Sequence, residues 1–343
     1  MGFRYMYCGA WNFKGEIKGV KAFRADPGTG AATEAGVYGD ALAGQSILAV
    51  AGDKLVSVCE LGSGGKVVSY AIRPDGCLEL LDTAEFESAK LSYVVAAPNG
   101  KYVFVSSMGD GTVKMIRVDR DGKLTLTDEW KLTGHSVTPR QSQAKVHSVM
   151  ISPDGAFLAA ANLGADELEV FRVDYERETL RLTASVPVDF GREPRHMAFH
   201  PTGKYLYLLT EGGNRIYTYR FRDGRPQELA VYDTLDPEGA AVGAAADIVA
   251  GADGRFVYST NRGQSNIAVW RVLESGLLDI AGFVPSGGKG PRGINLTPDG
   301  TQLLCANNDD GTVSILPLDP ETGLPGPAVQ TVPVPSAGCV RSI

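Results

Sequence analysis

The fold is decided by a stretch that occurs twice, as HSVMISPDG at residues His147–Gly155 and as RHMAFHPTG at residues Arg195–Gly203. In each copy, polar residues precede a short apolar run that ends in a Pro-x-Gly turn. Turns of this kind, Pro-x-Gly or Ala-x-Gly, begin at residues 98, 153, 201, 252 and 298, with spacings of 55, 48, 51 and 46 residues. A weaker copy begins at Ala51, 47 residues before the first. Periods of this size indicate a repeat architecture.

Each repeat contains short apolar segments rather than helices. Residues 157–161, 169–173 and 180–186 have the length of strands and are separated by turns. Four short strands in about 50 residues are typical of a β-propeller blade, and a chain of 343 residues accommodates seven such units. The sequence therefore predicts an all-β, seven-bladed propeller with four-stranded antiparallel blades, formed by residues 1–343 as a single domain.

The two ends of the chain are predicted to share one blade. Residues 3–8 and 19–23 have the pattern of middle strands in a blade that lacks its first strand, and residues 337–342 form a strand with no followers. Pairing of the N- and C-terminal strands would close the ring and remove the open sheet edges that invite aggregation.

Composition narrows the class of partner. The net charge of −7 argues against nucleic acid, because affinity for nucleic acid comes mostly from basic residues that meet phosphates. No apolar run reaches the length of about 18 residues that a membrane helix needs, and no N-terminal stretch has the pattern of a secretory signal. The five cysteines include no C-x-x-C pair and are interpreted as buried, reduced thiols. We expect a cytoplasmic protein with no membrane partner.

Topology selects the candidate site residues. In a propeller blade, the first strand lines the central channel and the second runs antiparallel to it, so the start of one and the end of the other lie at the same face. Residues just before first strands are His147, Arg195, His196 and Arg292, and residues just after second strands are Asn162, Glu211, Arg262 and Asn307. The long polar connection at residues 131–146 is a candidate binding loop. A concave channel mouth on a rigid frame is a common place for a site.

Each of these residues has an ordinary structural explanation when it is taken alone. Arg195 and Arg292 could be solvated loop arginines, Glu211 an exposed turn acid, and His147 a histidine with satisfied hydrogen bonds. Their matching positions in neighbouring blades favour a site instead, because unrelated surface residues need not fall at corresponding places.

The residue types indicate an anionic substrate with an ester-like centre. Arginine recognises carboxylate or phosphate in a bidentate manner, and a histidine with a glutamate can act as general base and acid. We expect their proximity to favour an imidazolium on His147 and a carboxylate on Glu211. No His/Cys/Asp cluster has metal spacing, so neither a metal nor another cofactor is predicted.

The candidate residues occur in a longer series of motifs: Pro194-Arg195-His196, Phe199-His200-Pro201, Thr210-Glu211, Asn261-Arg262-Gly263 and Pro291-Arg292-Gly293. Through these motifs the chain resembles the seven-bladed propeller lactonase family, and the resemblance spans essentially the whole chain. The family includes bacterial 6-phosphogluconolactonases and the fungal carboxy-cis,cis-muconate lactonizing enzyme. The resemblance implies that the catalytic residues are His147, Arg195, Glu211 and Arg262, the counterparts of the residues proposed for the muconate enzyme.

The sequence departs from the family's motifs around these four residues. Lys145 stands where many members have the first histidine of His-x-His, and Gln264 where many have the last residue of Asn-Arg-Gly-His. Asp247 replaces the usual glutamate of Ala-Glu-Ile, and Asn162 the usual aspartate of Asp-Leu-Gly. These four residues, together with His196, Arg292 and Asn307, are predicted to bind the substrate.

Three functions remain open at this point. The first is hydrolysis of a sugar-acid lactone, foremost 6-phosphogluconolactone, with arginines that hold the anion while His147 and Glu211 transfer protons. The second is a muconate-type cycloisomerisation by the same residues. The third is a non-enzymatic scaffold, since fold alone does not define a function. The partner predicted in the first two cases is a small anionic molecule, and the oligomeric state stays open.

Overall fold

The computed structural model describes residues 2–11, 18–26, 29–240 and 243–343, and within these ranges the chain forms seven four-stranded antiparallel sheets. The predicted seven-bladed propeller is therefore confirmed. In six blades the four strands follow one another along the chain, and the remaining blade combines the two ends of the chain in the order β28-β1-β2-β3. The strand β28 pairs antiparallel with β1, Met6 opposite Ser342, so the predicted ring closure is confirmed as well.

The strands are numbered in chain order. The strands of the blade that joins the two ends of the chain and of the three blades that follow it are β1 (Tyr5–Ala10), β2 (Lys18–Ala25), β3 (Ala32–Ala43) and β28 (Ala337–Ser342); β4 (Gln45–Ala51), β5 (Lys54–Cys59), β6 (Gly65–Ile72) and β7 (Leu78–Phe86); β8 (Leu91–Ala96), β9 (Tyr102–Ser107), β10 (Thr112–Val118) and β11 (Leu124–Lys131); β12 (Val146–Ile151), β13 (Phe157–Asn162), β14 (Glu167–Asp174) and β15 (Thr179–Pro187). Those of the other three are β16 (Pro194–Phe199), β17 (Tyr205–Thr210), β18 (Arg215–Arg222) and β19 (Arg225–Asp233); β20 (Ala245–Ala250), β21 (Phe256–Asn261), β22 (Asn266–Val272) and β23 (Leu278–Pro285); β24 (Pro291–Leu296), β25 (Gln302–Asn307), β26 (Thr312–Pro317) and β27 (Gln330–Pro333). A short 3₁₀ helix, Pro139–Gln141, lies in the long connection before β12. None of the helices in the described ranges is long and apolar enough to span a membrane.

The core lies between neighbouring blades. Leu168 and Val170 of β14 pack against Leu206, Leu208 and Tyr217 of the next blade. Because both faces of a middle strand are covered in this way, a strand such as β17, with the sequence YLYLLT, is buried along nearly its whole length rather than at alternate positions. Each such side chain contributes about 1.5–3 kcal/mol by leaving water.

The turn between the first and second strands explains the sequence repeat. Gly155 has a φ of 74°, a conformation that favours glycine, and its N–H donates to the carbonyl of Ser152 at 2.8 Å. The carboxylate of Asp154 accepts from the N–H of Ala156 at 3.0 Å. Asp154 is therefore a turn former and takes no part in the site.

The first strands line the channel, and each of six carries a β-bulge one residue after its start. The six first strands β4, β8, β12, β16, β20 and β24 contact one another in succession and, with β28, complete an inner ring. Their pairing shifts at Ser46, Ser92, His147, Arg195, Ala246–Asp247 and Arg292. A bulge re-aims a side chain away from the regular alternation of the strand. Three of the residues chosen from the sequence, His147, Arg195 and Arg292, thus sit at bulges, inside the first strands rather than before them.

Candidate active site

The bulged residues of five of these six strands converge on a cavity of about 360 Å³ at one mouth of the channel, and those of β20 do not. It is lined by Trp11, Ser46, Ile47, Glu60, Lys90, Ser92, Met108, Arg140, Lys145, His147, Arg195, His196, Glu211, Arg262, Arg292 and Gly338. Two topological positions supply most of this lining: the bulge of a first strand and the residue that follows a second strand. The volume lies within the range of small-molecule sites.

Glu211 is the centre of an ion cluster on one wall. Its carboxylate lies 3.0 Å from Arg195 Nε, 3.0 Å from Arg262 Nη2 and 3.0 Å from Arg140 Nη1. Burial opposes its ionisation, but the charges of Arg195 and Arg262 and the hydrogen bond from Arg140 outweigh burial and hold the pKa of Glu211 far below its usual range. Glu211 is therefore ionised at neutral pH, as the sequence predicted.

Arg140 was not selected from the sequence, although it lies in the connection predicted to bind. Its Nη1 also contacts Glu193 at 2.7 Å. Asp166 joins the connection that carries Arg140 to the segment before β16 that carries Glu193. Its carboxylate accepts from the Ser136 hydroxyl at 2.5 Å and from the Glu193 N–H at 2.7 Å. The connection therefore presents Arg140 to Glu211 in a fixed position.

Arg195 is held by His196 and the next blade. Its Nη1 lies 3.2 Å from His196 Nε2 and also donates to the carbonyl oxygen of Ala246. His196 Nδ1 is 2.7 Å from Asp247 Oδ1, whose other oxygen accepts from the Ile294 N–H at 2.9 Å. Burial and the Arg195 charge lower the pKa of His196 to about 4, so the ring is neutral, donates to Asp247 through Nδ1–H and accepts from Arg195. Burial and the neighbouring Arg262 lower the pKa of Arg195 to about 10, and it stays charged at neutral pH.

His147 is neutral, contrary to the expectation of an imidazolium. Burial lowers its pKa well below the usual value, and the charge of Arg195 lowers it further. The ring packs against His196 with centroids 5.1 Å apart, and its Nδ1 is buried with no hydrogen-bond partner in the described part of the chain. The attraction of Glu211 is present, but burial and the arginines are stronger. His147 thus offers a neutral imidazole to the cavity.

Arg292 occupies the wall near Trp11. Its guanidinium carbon lies 3.7 Å from the centroid of the indole ring. Burial and the charge of Arg195 lower the pKa of Arg292 to about 9, which leaves it charged at neutral pH. Within the described ranges, no carboxylate forms an ion pair with it, whereas Arg195 and Arg262 share Glu211. Arg292 is therefore available to an anion.

The cavity carries an excess of positive charge. Six lining residues are cationic, Lys90, Arg140, Lys145, Arg195, Arg262 and Arg292, and two are acidic, Glu60 and Glu211. Lys145 donates to the carbonyl oxygen of Arg140, and burial together with the charges of Arg140 and Lys90 lowers its pKa. A formal excess of four positive charges at this mouth, in a chain of net charge −7, gives the cavity a positive potential that attracts anions.

Asn162, Asn307 and Gln264, predicted to bind the substrate, do not line this cavity. Asn162 and Asn307 are the last residues of β13 and β25, one position before the counterpart of Glu211, and adjacent residues of a strand point to opposite sides. Asn162 bonds the Lys145 N–H and the Thr133 carbonyl, and Asn307 bonds Ser314 at 2.9 Å. Gln264 instead holds the loop around Asp236.

Asp247 also lies outside the lining of this cavity and borders a second one further along the channel. Its contact with the site runs through His196. The described residues contain no group of three or more His, Cys, Asp or Glu side chains that could hold a metal ion.

Comparison with known proteins places the chain in a family. The family model described as Lactonase, 7-bladed beta-propeller matches residues 6–342. The chain is 30% identical over 283 residues to a 6-phosphogluconolactonase of Formosa agariphila, covering 79% of this chain and 80% of the relative. It is 28% identical over 292 residues to the 6-phosphogluconolactonase of Bacillus subtilis, covering 84% and 83%. The solved structure of the periplasmic gluconolactonase of Pseudomonas aeruginosa has a TM-score of 0.90 and 28% identity over 99% of this chain and 98% of that one. The chain belongs to the seven-bladed β-propeller lactonase family.

Proposed function

We propose that the chain hydrolyses a phosphorylated sugar-acid lactone of the 6-phosphogluconolactone type. The observation that carries this proposal is a single cavity that holds a neutral imidazole, His147, and an arginine, Arg292, that forms no ion pair with a carboxylate among the described residues. The relatives named above are lactonases, which supports hydrolysis rather than lactone formation.

The charge of the cavity supports a substrate with more than one negative charge in the product state. Arg292 and Arg195 are donors for the lactone carbonyl, on which negative charge develops when water attacks. Lys90 and Lys145, which influence each other electrostatically, are the donors left for a phosphate at the far end of the sugar. Each fixed donor that is aimed at a developing oxyanion lowers the activation barrier by about 3–4 kcal/mol.

His147 is the proposed acceptor of the proton from the attacking water. In the free protein, burial and Arg195 make it a weak base. A bound anion offsets the arginine charges and raises the pKa of the imidazole, so His147 becomes an effective base only in the complex. Glu211 then faces the imidazolium that forms and stabilises it. General base catalysis of this kind contributes about 10²–10⁴-fold in rate.

The test is a lactone panel assayed with the purified chain. Freshly formed 6-phosphogluconolactone, gluconolactone and a carboxymuconate are incubated with and without the protein, and loss of each compound is followed by NMR. We expect the phosphorylated lactone to be opened fastest and above its spontaneous rate. If no lactone is opened faster than in buffer, the proposal is wrong; if only the carboxymuconate reacts, the cycloisomerase alternative takes its place.

A further inference from the structure

We propose that Glu60 is a second catalytic residue, which donates a proton to the ring oxygen of the lactone as that oxygen leaves. This inference rests on the proposed function and assigns a role to a carboxyl group that the Arg195–Glu211 cluster does not use. Glu60 lines the same cavity as His147 and Glu211. It was missed in the sequence because its blade carries the weakest copy of the turn motif.

The position of Glu60 in its blade matches that of Glu211. Glu60 directly follows β5, the second strand of its blade, as Glu211 directly follows β17. Their blades are three steps apart around a ring of seven blades in the described chain, which is the largest separation such a ring allows. The two carboxyl groups therefore face the cavity from opposite sides, and a ligand between them meets His147 with Glu211 on one side and Glu60 on the other.

The surroundings of the two carboxyl groups differ. Glu211 has three guanidinium partners, whereas no arginine forms an ion pair with Glu60 among the residues that the structure describes. Arg292, Arg195, the Trp11 indole and Ser46 face Glu60, and each favours its charged form, but burial is stronger and raises the pKa of Glu60. An anion bound at Arg292 would raise that pKa further. Of the two carboxyl groups of the cavity, Glu60 is thus the one that is more readily protonated.

In the proposed reaction, one water molecule adds to the lactone and the bond to the ring oxygen breaks. The oxygen of a water molecule bonds to the lactone carbonyl carbon, and the proton of that water passes to His147. The bond between the carbonyl carbon and the ring oxygen then breaks, its electron pair stays on the ring oxygen, and the proton of Glu60 passes to that oxygen. Transfer of the His147 proton to Glu60 through water restores both groups, and the net reaction adds one water to the lactone to give the open hydroxy acid.

The experiment is Glu60→Gln, with Glu176→Gln as the control because Glu176 lies on the exposed surface. The kinetic parameters kcat and KM for 6-phosphogluconolactone are measured across about pH 4.5–8, after the rate of spontaneous hydrolysis has been subtracted. We expect kcat to fall about 10²-fold, KM to stay within about threefold, and the alkaline decline of kcat to disappear. Gln retains the shape and removes a half-buried acid whose ionisation burial opposes, so the melting temperature is expected to stay the same or rise.

Several results would overturn the assignment. Turnover near that of the wild type in Glu60→Gln would show that Glu60 is not needed, and a lost acidic limb in place of the alkaline one would make it a base. A lower melting temperature with an unchanged pH profile would indicate a structural role. If the wild type opens no lactone, the proposed function itself is wrong. If the wild type is active and Glu60→Gln is equally active, only the role of Glu60 is wrong.

Discussion

Arg195 and Glu211 form a direct ion pair, with Nε of the arginine 3.0 Å from Oε2 of the glutamate. The arginine sits at the bulge of β16 and the glutamate follows β17, its antiparallel partner. Since His196 and Ala246 hold the other edge of the guanidinium, Arg195 cannot swing towards a ligand. It is a fixed donor, which avoids reorganisation when charge develops in the reaction.

The first prediction concerns Glu211→Gln. Removal of the carboxylate leaves Arg140, Arg195 and Arg262 close together without a shared anion. We expect kcat to fall about 10²-fold or more, with substrate affinity kept within about tenfold, because Arg292 forms no ion pair with Glu211 and keeps its position beside Trp11. Loss of one partner from a buried ion cluster should also lower the free energy of unfolding by about 3 kcal/mol.

Urea unfolding and steady-state kinetics of Glu211→Gln, measured beside the surface variant Glu176→Gln, check both expectations. Unchanged stability would contradict the clamped ion cluster, and unchanged kcat would contradict its part in catalysis.

The second prediction is that Arg292→Ala separates function from stability. Arg292 is a charged group whose ionisation is opposed by burial, and its described contact is the Trp11 ring. We expect kcat/KM to fall about 10²-fold, the usual loss for one oxyanion donor, while the melting temperature stays the same or rises. The exposed Arg177→Ala is the control. A destabilised Arg292→Ala protein would assign the arginine to the framework instead.

The fold could be predicted because its determinants are local. A turn such as Ser152 to Gly155 is specified by residues within four positions, and the apolar strands follow directly from it. The ring closure also followed, because a strand at each end lacked partners. The convergence of five candidate residues on one mouth also followed from topology, and these residues are His147, Arg195, Glu211, Arg262 and Arg292.

The parts that failed depend on distant residues. Asn162 and Asn307 are one residue away from a lining position, and neither strand length nor composition fixes a register to one residue. Arg140 reaches Glu211 only because Asp166 fixes its loop from another segment. The neutral state of His147 depends on how deeply the fold buries it beside Arg195, which is a tertiary property.

The third prediction assigns the phosphate end of the substrate to Lys90 and Lys145. Replacement of either by Ala should raise KM for 6-phosphogluconolactone about tenfold and leave KM for gluconolactone unchanged, because the unphosphorylated lactone lacks the group they contact. The rise in KM with salt should also be weaker in both variants, since screening acts on exposed charge pairs. Lys204→Ala, exposed and far from the lining residues, is the control. An equal effect on both lactones would place the phosphate elsewhere.

The last prediction concerns the stability of the fold as a function of pH. His147 and His196 both have pKa values lowered by burial, that of His196 to about 4, while an unfolded histidine titrates near about 6.5. Between these values the unfolded chain binds more protons than the folded one, so stability is complete above about pH 6.5 and falls as the pH decreases. Each histidine contributes a slope of up to about 1.4 kcal/mol per pH unit. Urea unfolding at about pH 5–6.5 measures the net slope. Burial raises the pKa of Glu169 to about 7 and also raises the pKa of Glu60, and both carboxyl groups contribute a slope of the opposite sign, so the histidine part is the difference between each variant and the wild type. We expect His196→Asn and His147→Gln each to lower the slope by up to about 1.4 kcal/mol per pH unit relative to the wild type, and the exposed His135→Asn to leave it unchanged; equal slopes in all four proteins would mean that neither ring is held neutral by the fold.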